Sequence, residues 1–428
     1  MKKFLLALAV IAFVLSNART QAQYVTIPDA NFRNYLLNAG FANCFVGNQM
    51  DTTCSEVMSA IKINAYGYTV ADFTGLQYFD NLDTFQYNTW SGSVTTLPSH
   101  LPQQMRYFML GSTANHPLTS LPPLPSTITF LYVQGNSLTS LPTLPAMLKQ
   151  FWCGSNQLTS LPAIPAGVDT IYCHKNQLTQ LPTLPGGLLV MDCFDNKLTS
   201  LPALPNSMTY LRCYKNQLST LPNIPTSMSI LYAGRNQITS VPPLNNGLWW
   251  LHLDHNQLSS LPTLPASLDQ LVIDHNNFST LPVLNNGLED LICSNNPLPP
   301  NLTTQTLPST LEMLKADSIG LTSLPALPSS VYWLQVNGNQ LTYLPNWGYS
   351  GSGLRLQCRD NLLSALPDLP PSVYWLDCSN NPDISCLPPF EKCTGTGNFS
   401  LRFDNTGIVC LPNHIQHSGS WPNVDTLP

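Results

Sequence analysis

Charge is what this sequence has least of. Lys and Arg number 17 and Asp and Glu 23 in 428 residues, so charged side chains make up 9% of the chain and the formal net charge is −6. A chain this sparing of basic residues has no polycationic face to offer a phosphate backbone, and nucleic acid is not expected as a partner. Long apolar runs are equally scarce: beyond Phe4 to Leu15, no stretch approaches the length that crosses a bilayer. A GxSxG elbow, an HExxH helix, a phosphate-cradling glycine loop and a recognisable pair of catalytic carboxylates are all missing. The sequence therefore points away from an enzyme, and no cofactor is expected.

What the chain has in excess is proline, 38 residues of it, and the prolines follow a repeat. Between Ile128 and Leu298 one twenty-residue unit is written nine times without insertion. Leu148 to Leu158, LKQFWCGSNQL, is a specimen: apolar residues at Leu148, Phe151, Cys153 and Leu158 and an asparagine at Asn156 spell LxxLxLxxNxL, the leucine-rich-repeat signature. Side chains alternate across a strand, so Phe151 and Cys153 point inward and Gln150, Trp152 and Gly154 outward. The return path, LTSLPAIP, is too short for a helix with two turns, and its prolines remove backbone donors and favour polyproline-like extension. Leu158, Leu161 and Ile164 are expected to supply the rest of the core. The asparagines are expected to form a ladder that satisfies the turn backbone of neighbouring coils. The fold class is thus a β-rich solenoid: a right-handed leucine-rich-repeat coil with a parallel concave sheet, an extended convex side and a small helical N-terminal cap.

Four segments follow. Residues 1–22 have two lysines, an apolar run and small residues at Thr20 and Ala22, the anatomy of a secretory signal peptide. Without Lys2, Lys3 and Arg19 the balance becomes 14 basic against 23 acidic residues, or −9. Residues 23–97 form a cap with a degenerate first repeat, in which Pro28 and Asp29 open a helix that shows Phe32, Tyr35 and Leu36 on one face. Residues 98–412 are the solenoid, whose units lengthen after Leu298, and residues 413–428 are a tail. Cys44 and Cys54 enclose a short polar loop and are expected to form a disulfide in an oxidising compartment; a second bridge is expected within Cys386, Cys393 and Cys410, with the pairing open. Cys153, Cys173, Cys193, Cys213, Cys293, Cys358 and Cys378 share one inward slot and read as core packing.

Two resemblances bear on function. The LPxLP return path resembles the short leucine-rich repeats of secreted effectors from Gram-negative pathogens, although no ligase domain accompanies the repeats here. The cap segments IPDANFRNYL, GNQMDTTC and TGLQYFDNL, with the cysteine-bearing strands and CLPN, resemble secreted leucine-rich-repeat surface proteins of Bacteroidetes. That resemblance implies Sec export to the cell surface or medium, and often a C-terminal sorting domain. Nothing after Pro412 matches such a domain, so the tail reads as truncated or the chain lacks that means of retention.

The outward columns hold the information that remains. Phe130, Tyr132, Trp152, Tyr172, Phe194, Tyr210, Tyr214, Tyr232 and Trp250 fall on the concave face, where exposed aromatics anchor protein interfaces or stack on sugars. The expectation is an exported, monomeric, non-catalytic protein that binds a protein or glycan there. A structural spacer or adhesin scaffold is the first alternative. A metal-dependent enzyme built on His252, Asp254, His255, Asp274 and His275 is the second, although a solvated polar patch is the better account of that cluster, since no supporting residues around it can be named.

Overall fold

The computed structural model describes residues 23–410, apart from Ser91, Asn115, Thr303, Thr304, Trp347, Ser350, Gly351, Pro370, Pro371, Pro389, Phe390 and residues 393–399. The expected signal peptide, the tail and Cys393 lie outside the described residues. The chain divides after Leu198 into two compact units.

The first unit opens with strand β1 (Tyr24–Thr26), helix α1 (Ala30–Leu36), and strands β2 (Phe45–Val46) and β3 (Gln49–Asp51). The three strands form an antiparallel sheet in the order β1-β3-β2, which the degenerate sequence of the cap did not announce. Asp29 caps α1 by accepting the Phe32 amide at 2.8 Å, and its other oxygen accepts the Ala71 amide at 2.8 Å, so one carboxylate starts the helix and ties it to the first coil. Phe32, Tyr35 and Leu36 are buried, as their spacing predicts. Phe32 meets Phe73 edge-on at 5.1 Å. The helix loosens through Leu37–Phe41 and then tightens through Ala42–Cys44, turning at Gly40, where φ is 100°. Cys44 and Cys54 are joined, with Cα atoms 5.5 Å apart, just ahead of the short helix α2 (Ser55–Ser59).

Seven parallel strands then build the sheet of this unit: β4 (Lys62–Asn64), β5 (Thr84–Thr89), β6 (Tyr107–Ser112), β7 (Phe130–Tyr132), β8 (Gln150–Trp152), β9 (Thr170–Tyr172) and β10 (Val190–Asp192). In β7 to β10 the middle residue, Leu131, Phe151, Ile171 or Met191, is buried and the first is half-buried. Burying such a side chain contributes about 1.5–3 kcal/mol, which makes the inward slot the one that fixes register.

The second unit repeats the plan with β11 (Tyr210–Arg212), β12 (Ile230–Tyr232), β13 (Trp250–His252), β14 (Gln270–Val272), β15 (Asp290–Ile292), β16 (Met313–Lys315), β17 (Trp333–Gln335), β18 (Ser352–Gln357) and β19 (Ser372–Asp377). Each of these pairs in parallel with the next, and β19 also pairs with β20 (Glu391–Lys392) and β21 (Ser400–Arg402). The longer units keep strand register: Asp290 faces Met313 and Trp333 faces Arg355, so the extra residues are taken up outside the strands. Cys386 is bonded to Cys410, and these two cysteines also form a parallel bridge.

Between the strands of the twenty-residue units the return path carries neither helix nor strand among the described residues. It contributes less core than the sequence suggests. Leu158 is fully buried, but Leu161 and Ile164 are only half-buried, because an extended proline-rich segment on the outer side of a coil keeps one face in water. The asparagine ladder is present in both units. Asn176 donates to the Cys153 and Cys173 carbonyls at 3.0 and 3.1 Å and accepts the Leu158 amide at 3.0 Å. The residue before each asparagine takes a left-handed backbone, as in Ser155 (φ 53°), Lys175 (φ 51°) and His255 (φ 50°). Gly135 fills that place where a Cβ would lie 1.7 Å from the Ser112 carbonyl oxygen.

Candidate functional site

The sheet face opposite the core is where side chains remain available. In the first unit, strand register sets two aromatic columns. Tyr107 and Phe130 stack at 4.1 Å and are parallel within 1°. Tyr132, Trp152 and Tyr172 follow one another in register, with centroids 5.8 Å and then 4.0 Å apart. His174 lies edge-on to Tyr172 and stacks on Phe194 at 4.8 Å. Gly154 makes room for it, since a Cβ there would stand 2.7 Å from the imidazole. Phe130, Tyr132, Trp152 and Tyr172 are half-buried, and the indole nitrogen of Trp152 is fully covered. Phe194 is not: it is 8% exposed, covered by the His174 ring and by Lys175, whose Nζ lies 5.8 Å from its centroid. Burial raises the phenols of Tyr132 and Tyr172 above their ordinary range, so both stay neutral at physiological pH.

In the second unit the expected aromatics surround a hollow. Tyr210, Tyr214 and Tyr232, with Arg212, Arg235, His252 and Asp254, line a cavity of about 490 Å³ on this face. Tyr232 packs edge-on against His252 at 4.5 Å, and Arg212 lies 5.1 Å from the Tyr214 centroid. Gly234 is part of the floor, where a Cβ would be 2.1 Å from Asp254 Oδ1. The His252 imidazole is pushed below its ordinary pKa by burial, and its Nε2 meets the Gln270 side-chain oxygen at 2.5 Å. Trp250 hydrogen-bonds Asp269 through its indole N–H at 3.4 Å. Its neighbour Trp249, 55% exposed, was not among the residues that the sequence singled out. Of the polar walls, His252 and Asp254 were singled out by the sequence only as metal-ligand candidates, and Arg212 and Arg235 were not candidate site residues. Arg212, His252 and Asp254 share the outward columns of the tyrosines, which is the signal that could have placed them here, whereas Arg235 sits at the turn before Asn236.

The histidine cluster assembles in part. His275 Nδ1 is 2.8 Å and His255 Nδ1 3.9 Å from Asp274 Oδ2, and the metal-capable atoms of these three residues lie within 4.8 Å of one another. The two imidazoles stack face to face at 4.0 Å, so their in-plane lone pairs run side by side and would have to rotate to converge on one ion. His252 turns instead to Gln270 and the cavity. The seven column cysteines are buried free thiols; burial pushes Cys293 and Cys378 up to about 12. Among the described residues no helix is long and apolar enough to cross a membrane.

No family model and no curated protein matches the chain. Solved structures do. YopM from Yersinia enterocolitica is 30% identical, with a TM-score of 0.70, over 79% of this chain and 72% of that one. YopM from Yersinia pestis, a leucine-rich effector protein, is 26% identical, with a TM-score of 0.58, over 83% of this chain and 89% of that one. The functional domain of InlJ from Listeria monocytogenes, which includes a cysteine ladder, shares the fold at 17% identity, with a TM-score of 0.51, over 81% and 78% of the two chains. The repeat, its asparagine ladder and this likeness agree: the chain belongs to the leucine-rich-repeat proteins.

Proposed function

We propose that this chain is an exported recognition protein that binds a protein or glycan ligand on the outward face of its sheet, without catalysing a reaction. The observation that carries the reading is the set of half-buried aromatic residues on strands whose alternate residues are buried: the scaffold is rigid, and Trp152, Tyr172, Tyr232 and Trp250 keep partly exposed aromatic surface at fixed spacing. Rings held this way bind at a low entropic cost, which is why aromatics dominate interface anchors. Export supports the same reading, since the Cys44 to Cys54 and Cys386 to Cys410 bridges persist in oxidising compartments.

The test is the full chain on peptide and glycan arrays beside two variants, Trp152→Ala with Tyr172→Ala, and Tyr232→Ala with Trp250→Ala. Loss of an array signal by about tenfold or more in either variant supports recognition. A signal shared unchanged by all three proteins would favour a spacer whose aromatic surface is indifferent.

A further inference from the structure

Far along the second unit the outward face changes character. Lys315, Trp333, Arg355, Trp375 and Arg402 form a stack in which cations alternate with indole rings. Register places Trp333 beside Arg355 and Arg355 beside Trp375. Lys315 Nζ and Arg355 Cζ, reaching from the strands on either side, each lie 3.9 Å from the Trp333 centroid. Arg355 Cζ is 5.3 Å and Arg402 Cζ 5.7 Å from the Trp375 centroid.

Arg355 has no carboxylate partner among the described residues, in contrast to Arg106, which pairs with Asp83, and Arg359, which pairs with Asp360. Arg402 at least faces Asp377 in register. The Nε of Arg355 and the indole nitrogens of Trp333 and Trp375 are buried donors without an acceptor. Lys315 adds like charge rather than relief, and its ammonium is destabilised by burial and by Arg355. A cation–π contact is worth less than the penalty of a buried unpaired donor, so packing alone does not explain three such donors in one column. The three nitrogens lie too deep for an outside ligand to reach, so what the column lacks at its surface is a counter-charge for the half-buried Arg355.

We propose that Arg355, held between Trp333 and Trp375, receives a side-chain carboxylate from an extended acidic peptide lying across this face. A guanidinium kept planar between two rings presents its free edge as a fork matched to a carboxylate. A peptide fits better than a sugar because Trp333 is flanked by cations from both sides and has no open face on which a pyranose could stack. The inference rests on the outward face being a recognition surface, and it adds a ligand chemistry at residues distant in sequence from Trp152 and Trp250.

The experiment measures fluorescence anisotropy of a labelled peptide of alternating glutamate and glycine titrated with the full chain. A glutamine and glycine peptide and labelled polygalacturonate run in parallel. The acidic peptide is expected to bind, more weakly as salt rises, and Arg355→Gln to lose about tenfold or more. Arg355→Lys keeps the charge and the fold but not the fork, and should fall between the two. Equal binding by the wild type and Arg355→Gln, or by the acidic and neutral peptides, overturns the proposal. So does Arg355-dependent binding of polygalacturonate without binding of the peptide. The wild type retains Trp152, Tyr172, Tyr232 and Trp250, so a negative result here leaves the array test of the outward face standing on its own.

Discussion

Asn256 Oδ1 accepts the backbone amide of Ile238, one coil earlier, at 3.0 Å. The same side chain donates from Nδ2 to the Ala233 carbonyl at 3.1 Å and the Leu253 carbonyl at 3.0 Å. One buried amide therefore serves three backbone groups of two coils; the Ala233 and Leu253 carbonyls also accept Nδ2 of Asn236 and Asn276, so the Ile238 amide is the group that depends on Asn256. Asn256→Ala should destabilise the second unit by about 1–3 kcal/mol, the cost of leaving the Ile238 amide buried and unpaired while both carbonyls keep a second donor. Asn256→Asp should do at least as much damage at neutral pH, because it replaces the donor with a carboxylate facing two carbonyl oxygens. Urea unfolding monitored through the fluorescence of Trp249 and Trp250 measures both. An aspartate variant as stable as the wild type would mean that the ladder is incidental.

The cysteine column makes a prediction with two arms. Cys153, Cys173, Cys193, Cys213, Cys293, Cys358 and Cys378 are buried, and burial is the first cause of the raised thiol pKa at Cys153, Cys173, Cys293, Cys358 and Cys378. Alkylation at pH 8 should leave all seven unmodified in the native protein and label them only after denaturation. Their contribution to stability has a fixed sign. A folded pKa above the unfolded value, about 8.5, favours the folded state fully below that pH and is lost as pH rises from there toward 12. Cys153→Ala should cost less than Cys153→Ser, because serine buries a hydroxyl in a slot lined by apolar side chains. Rapid native labelling of Cys153 or Cys173 would mean the column is open and would return a redox role to consideration.

How much of this was legible in the sequence depends on which force fixed each residue. Leu148, Phe151, Cys153 and Leu158 could be assigned inward because burial repeats with the period of the coil, and Asn156 could be given its role because the turn backbone needs an acceptor and a donor at that place. The α1 face was readable because Asp29 caps the helix locally. Leu161 and Ile164 were overestimated, since hydrophobicity marks what a residue prefers and not how far the outer path is from water. Phe194 lies two residues beyond Asp192, the last residue of its strand, where alternation no longer tells the side from which His174 and Lys175 will cover it. The cavity around Tyr232 and the Arg355 stack were out of reach for a related reason. They come from how long side chains lean across neighbouring strands, as Lys315 does toward Trp333, and a repeat period fixes Cβ positions but not that lean.

His116 is the clearest residue that no repeat pattern announces, and it supplies the pH prediction. It is fully buried in the first unit, and its ring stacks near Tyr87 at 5.7 Å. Nδ1 accepts the amides of Ser93 and Val94 at 2.9 and 3.2 Å, and Nε2 lies 3.0 Å from the Gly111 carbonyl oxygen. That network assigns the proton to Nε2 of a neutral ring, because a second proton on Nδ1 would face two amide donors. Burial accordingly lowers its pKa. Between that lowered value and the unfolded value of about 6.5 the unfolded chain binds more protons than the folded one, so the contribution is complete above about 6.5 and is lost as pH falls. Hydrogen exchange at the Ser93 and Val94 amides should therefore accelerate, relative to the amides of α1, as pH is lowered from about 7 to about 5 after correction for intrinsic rates. His116→Gln offers an uncharged acceptor that cannot titrate, and in it the acceleration should disappear. The same acceleration in the glutamine variant would assign the effect to the surrounding carboxylates instead.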